Sequence, residues 1–324
     1  MRPRHSRLIV GGGVSALVLA ACGATGIGGS AVSVSSSPSV VPSARPLIQA
    51  LIETGPGPNG LTATSESVWV ELHRDDLVAR IDPVTNQQVE ITGVPAHCAV
   101  AASGESVWAT IAKRDLVRRL DASTGDVVDS FDVPGPCGLA VDSETAWVGS
   151  TRDRAVYVFQ EGLAEPIHRI EVAADPFDIV LDETSAWVTS EADGGTLYRI
   201  DRASYEATLV GQFPGIGFDS AEVAFGSLWL NARDEGHLYK VDPADGSVVG
   251  QVDLPEPSGV VAVGDALWIT LLGGGLVQLN PVTLEIRSHE QLPHGSLGPP
   301  LYAFGSLWVA ALEDDLVMRI RVDD

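Results

Sequence analysis

The chain has 324 residues, with 43 acidic against 20 basic side chains, a formal charge of −23, 34 glycines and 3 cysteines. Such acidity repels phosphate backbones and anionic lipid, which excludes nucleic acid as a partner. With 45% apolar and 19% charged residues, the chain can bury a large core, which excludes disorder over most of its length.

At the N-terminus Arg2, Arg4 and Arg7 precede an apolar stretch from Leu8 to Ala21. The stretch is shorter than the roughly 20 residues a spanning helix needs and matches the apolar part of a signal peptide. Residues 1–21 are therefore expected to be a signal peptide. The stretch ends Leu19-Ala20-Ala21-Cys22, which resembles the lipobox of bacterial lipoproteins. That resemblance implies that Cys22 is lipidated and becomes the first residue of an exported, membrane-anchored product. Residues 22–46 are rich in Gly, Ser, Ala, Val and Pro, nearly uncharged and without apolar periodicity. They read as a flexible lipidated tether with a typical reach of about 25–30 Å. The folded body is expected to meet the membrane only through that lipid.

The rest of the chain is a repeat. Trp69, Trp108, Trp147, Trp187, Trp229, Trp268 and Trp308 follow one another at spacings of 39, 39, 40, 42, 39 and 40 residues, each in a pattern such as SVWV, TAWV or SLWL. A fixed period near 40 signals a repeat architecture. Within each period a short apolar run meets a Gly/Ser/Asp/Glu turn and then the tryptophan strand. A polar loop leads to a third strand such as LVARID or HLYKVD, then a turn such as DPVTNQ or DPADGS, then an alternating fourth strand such as VVDSFDV. Period-2 alternation between turns at this interval is the all-β signature, and four strands per 40 residues make a propeller blade. The last repeat stops after its third strand, and Leu47–Glu53 (LIQALIE) is an orphan before the first. Pairing the two closes the ring and removes the exposed edges. The expected fold is all-β, a seven-bladed propeller over residues 47–324 with four antiparallel strands per blade, the last blade completed by the N-terminal strand. The tryptophans are expected to pack between blades.

The Gly/Ser turn, the VW or LW pair, the third strand ending RID and the DPxTG turn together resemble YVTN-type seven-bladed propellers and streptogramin-lyase-like repeats, both frequent in exported bacterial proteins. The resemblance covers all seven repeats. For the lyases it implies a His 11 residues before the blade Trp and a Glu 3 after it. His97 lies 11 before Trp108, but Ile111 stands 3 after it, and no blade has Glu there. Asp121, Thr124 and Gly125 resemble the core of quinoprotein repeats, yet Val127 and Val128 stand where the docking Trp belongs.

In a propeller the loop entering the first strand and the loop leaving the second share one face of the ring. A channel-mouth site must come from these loops, and Asn59, His97, Asp178, Asp219 and Asn231 are the ligand-binding candidates. The site-face loops of blades 4–6 hold nine acids against Arg233, whereas those of blades 1–3 balance five against five. A cation or a cationic group is therefore expected against Asp178, Asp219 and Asn231, with His97 and Asn59 facing it, Ca²⁺ the candidate metal at Asp178 and Asp219, and no other cofactor implied. Cys98 and Cys137 occupy the same blade position, 10 before their tryptophans. Outside the cytoplasm such a pair is expected to form a disulfide. The residues favour a monomeric, non-catalytic binding or scaffold module at the cell envelope, whose partner is an envelope protein, a peptide or a small molecule. The alternative is a channel-mouth enzyme, either a streptogramin-type lyase or a metal-dependent lactonase or hydrolase.

Overall fold

A computed structural model describes residues 47–75, 77–91, 96, 98–190, 194–214 and 216–322. Cys22, the expected signal peptide, the tether and His97 lie outside the described residues. The described strands form seven four-stranded antiparallel sheets in consecutive order, with one crossover. That crossover is the closure. Leu47–Glu53 pairs antiparallel with Leu316–Arg321, from Leu47 opposite Arg321 to Glu53 opposite Leu316, across a bulge at Ile48/Ala50. Blade 7 therefore takes three strands from the C-terminal end of the chain and its outer strand from the N-terminal end. Among the described residues helix is confined to one 3₁₀ turn, Ala112–Arg114, and no helix is long and apolar enough to cross a membrane.

Every tryptophan is buried, the most exposed being Trp108 at 3%. Each packs against the second strand of the next blade: Trp69 against Val107 and Ala109, Trp187 against Leu228 and Leu230, Trp308 against Val68 and Val70. The ring is thus held by seven copies of one apolar seam, and burial of a large aromatic is the main favourable term in each.

The basic residue of the third strand has a use the sequence pattern did not reveal. Arg80 sits over the Trp69 ring at 5.9 Å, Lys240 over Trp229 at 5.3 Å and Arg319 over Trp308 at 4.9 Å. Each then crosses the seam to a carbonyl in the following blade's last turn: Ser123 at 2.6 Å, Pro281 at 2.8 Å and Pro83 at 2.5 Å. One side chain therefore covers its own tryptophan and caps its neighbour's turn.

The innermost strands crowd around the axis, and glycine makes this possible. A Cβ on Gly138 would come 2.9 Å from the Phe177 oxygen, and one on Gly259 would come 2.5 Å from the Pro299 Cα. These two glycines stand nine residues before their tryptophans, the height at which the channel opens to the mouth.

Candidate functional site

A cavity of about 300 Å³ occupies the channel mouth, its wall including Asn59, the two cysteines, Asp178, Asp219, Arg233 and Ser258. The structure thus brings together Asn59, Asp178 and Asp219 from three different blades, as the loop positions predict. Asn59 stays close to the entry of blade 7, where a Cβ on Gly298 would meet the Asn59 carbonyl at 2.9 Å.

Asp178 opens the first strand of blade 4. Its carboxylate accepts the Ile179 amide at 2.9 Å and, across the seam, the Ala221 amide of blade 5 at 2.8 Å. Burial pushes its pKa up to about 6, against the pull of those two amides. Asp219 is held by Arg233, whose guanidinium lies 2.8 Å from one carboxylate oxygen while its amide donates to the other at 3.1 Å. Burial raises the Asp219 pKa and the Arg233 charge opposes the rise.

Two expectations change. Asn231 is fully buried behind the wall, not on it. It lies two residues after Trp229, so strand alternation gives it the tryptophan's own face, the seam, where its Nδ2 donates to Ser220 Oγ at 3.1 Å. The charge split across the mouth also shrinks. Of the acids assigned to blades 4–6, Asp175 pairs with Arg154 of blade 3 at 3.3 Å, Asp219 with Arg233, and Asp178 with backbone amides. The mouth loops are tied across other seams too, by Arg152 to Asp115 at 2.6 Å and Arg74 to Glu313 at 2.8 Å. Such exposed pairs stabilise little individually, but they fix loop positions.

Among the described residues no group of three or more His, Cys, Asp or Glu side chains is placed to hold a metal. The oxygens of Asp178 and Asp219 accept from backbone amides and from Arg233.

Cys98 and Cys137 are disulfide-bonded at the rim of the cavity, with Cα atoms 5.1 Å apart. Their blades are joined at the point where the inner strands begin. Cys98 holds a φ of 139°, and its amide donates to Glu71 Oε1 at 3.0 Å. The buried Glu71 carboxylate therefore anchors the same corner from blade 1.

The residue that sequence reasoning misplaced is Glu222. It pairs with Trp229 in the first strand of blade 5 and lines a second cavity of about 380 Å³ deeper in the channel, with Thr62, Ala101, Ala140 and Val180. Burial pushes its pKa up to about 7, the Ala262 amide opposing and the Asp178 charge adding to the rise. The signal was in the repeat. Seven residues before each tryptophan stand Thr62, Ala101, Ala140, Val180, Glu222, Val261 and Leu301, with a single ionisable residue among them.

This arrangement has a pH consequence with a definite sign. Both carboxyls hold their protons more tightly folded than unfolded, so stability from this source is fully present below about pH 4 and is lost as pH rises through about 6–7. Glu222→Gln is expected to flatten that loss, leaving the variant more stable than the parent by about 2–3 kcal/mol at pH 8 and little changed at pH 4. Thermal melts of both proteins at the two pH values check this, and equal gains at both would show that the charge is not the cause.

No family model matches the chain, and no curated protein matches it. Among solved structures it is similar to virginiamycin B lyase from Staphylococcus aureus, with a TM-score of 0.73, 15% identity, and coverage of 86% of this chain and 100% of that one. It is also similar to BamB from Moraxella catarrhalis, with a TM-score of 0.62, 15% identity, and coverage of 83% and 85%. At this identity the likeness shows the propeller fold.

Proposed function

We propose that the chain is an exported, lipid-anchored propeller that binds a partner at the cell envelope through the channel mouth, without catalysis. The observation that carries this reading is the mouth cavity, whose polar groups are already fixed by one another: Asp219 by Arg233, Asp178 by two amides. A preorganised polar floor of this kind loses little entropy on binding. A ligand carrying a cationic group fits Asp178, and a peptide or a small polar molecule fits the volume. Export agrees with the Cys98–Cys137 bridge, because disulfides persist outside the cytoplasm. The fold likeness to BamB is compatible with a role at the envelope.

Two measurements test the reading. Cys22→Ser is expected to leave the propeller folded and move it out of the membrane fraction, and its retention there would remove the anchor. Asp219→Asn combined with Asn59→Ala is expected to lose the envelope molecules that the parent retains on an affinity column at pH 7. Equal retention by parent and variant would remove the mouth as the binding site.

A second reading is favoured by one observation. Asp178 and Glu222 lie in the same channel with pKa values near 6 and 7, a range suited to general acid and base work. A channel enzyme, including a lyase such as the one solved from Staphylococcus aureus, would use this pair. Turnover with a bell-shaped pH profile that disappears in Glu222→Gln would replace the binding reading.

A further inference from the structure

The face of the ring opposite the mouth is built from the turns joining strands one and two and those joining strands three and four. In four blades the first of these turns begins in the left-handed region. Blades 2 and 6 put glycine there, Gly104 and Gly264, each with a φ of 58°. Blades 5 and 7 put phenylalanine there, Phe225 and Phe304, each with a φ of 52°. That conformation disfavours any residue with a bulky side chain. The rings gain no core burial in exchange, since Phe225 is 43% exposed and Phe304 is 36% exposed.

Each phenylalanine is matched by an exposed valine in the next blade's last turn, Val282 at 80% and Val84 at 88%. The cation that crosses the seam sets them together. Arg319 donates to the carbonyls of Phe304, at 3.4 Å, and Pro83, at 2.5 Å. In the other copy Lys240 donates to Pro281, while Trp229 donates to the Ala224 carbonyl at 3.1 Å. An exposed phenylalanine turn and an exposed valine turn therefore flank each of two seams on one face, between blades 5 and 6 and between blades 7 and 1.

The chain enters the ring on this same face. Leu47 pairs with Arg321 at the end of the third strand of blade 7, and Gln49 accepts from Ser306, two residues from Phe304, at 2.9 Å. The described chain thus begins on this face, at the outer strand of blade 7. In the first turns charge is lowest where the phenylalanines stand: blades 1–4 carry exposed Glu66, Glu105, Glu144 and Glu183, blades 5 and 7 carry Gly226 and Gly305, and in blade 6 Asp265 is paired with Arg287 at 2.8 and 2.9 Å, while exposed Asp82 and Glu285 share the valine turns.

We propose that this face rests on the lipid surface through Phe225, Val282, Phe304 and Val84, with the acidic turns of blades 2–4 lifted away and the channel mouth turned outward. The proposal extends the anchored reading given above and differs from the expectation that only the lipid at Cys22 touches the membrane. Shallow burial of aromatic and aliphatic side chains at the headgroup boundary is the chemistry involved.

The test uses the full chain, processed by a bacterial host, on phosphatidylcholine vesicles with or without brominated acyl chains. Phe225→Trp and Phe304→Trp each add one exposed indole to seven buried ones. Its emission is expected to fall at least about twofold in the brominated vesicles, while Arg114→Trp on the mouth face stays unchanged. The pair Phe225→Gly and Phe304→Gly is expected to melt no lower than the parent, because glycine adopts that φ freely. Floating protein without quenching at either position would overturn the docking while leaving the anchor standing. Quenching in a chain whose Cys22→Ser variant still floats would support the docking and remove the anchor. A chain that does not float, or a lower melting temperature in the double-glycine variant, would overturn the docking, as would shielding of the two positions by an envelope protein in place of lipid.

Discussion

A chain lacking Leu47–Glu53 is expected to aggregate and to lose its cooperative melting transition. Among its described side chains only Ile52 is buried, with Ile48 and Ala50 half-buried against the core, so the loss of core is modest. What it does is pair along the length of Leu316–Arg321. Without it the third strand of blade 7 presents a row of unpaired amides and carbonyls beside the buried Val317, Met318 and Ile320, which is a template for another chain's edge. The seam between blades 7 and 1, where Trp308, Val68, Val70 and Ile52 form one cluster, loses its outer wall as well. Size-exclusion chromatography with a thermal melt reads both effects, and a monodisperse deletion variant that melts with the parent would refute the closure account.

Trp308→Ala is expected to cost about 3–5 kcal/mol, the usual penalty for removing a fully buried large aromatic from a packed site. The cavity cannot easily collapse, since the ring is walled by Val68, Val70, Ala79 and Ile81 of the next blade, and those strands are fixed by their own ladders. The indole Nε1 also donates to the Ala303 carbonyl at 2.9 Å, which the variant leaves without that partner, and Arg319 loses the ring it lies across. Because 1 kcal/mol moves the melting temperature of a domain this size by roughly 2–4 °C, a fall on the order of 10 °C is the outcome to look for. A shift of only one or two degrees would mean that the tryptophans are not what holds the seams.

Much of this was readable before any coordinates, for a physical reason. A blade cannot bury its faces alone, so each repeat must keep the same large side chain at the same seam, and the even spacing of tryptophans follows. The orphan strand was legible from the missing one. Cys98 and Cys137 were legible as a pair because equal blade positions on neighbouring inner strands are adjacent around the axis.

The site was less legible, since it depends on which way individual side chains point. Asn231 was placed at the mouth by its closeness to a loop, although its parity with Trp229 puts it in the seam. Glu222 was counted with loop acids because the boundary of a short inner strand is hard to fix from composition alone. The pairing of Asp219 with Arg233 joins residues fourteen apart across a hairpin, and a count of charges cannot see it. The turn phenylalanines are not legible as such because Phe225 and Phe304 each precede a glycine, and the sequence marks the turn without fixing which residue takes the left-handed conformation.

The cations that span the seams are not distributed evenly around the ring. Opposite the tryptophans, from blade 1 to blade 7, stand Arg80, Arg119, Val158, Arg199, Lys240, Gln278 and Arg319. Where Val158 stands, Arg202 crosses in the opposite direction, from blade 4 back to Asp142 of blade 3. Blade 6 has the neutral Gln278 in that place. The apolar half of the seam is thus repeated seven times while the polar half differs from blade to blade, so the polar clasps distinguish one seam from another where the tryptophans cannot.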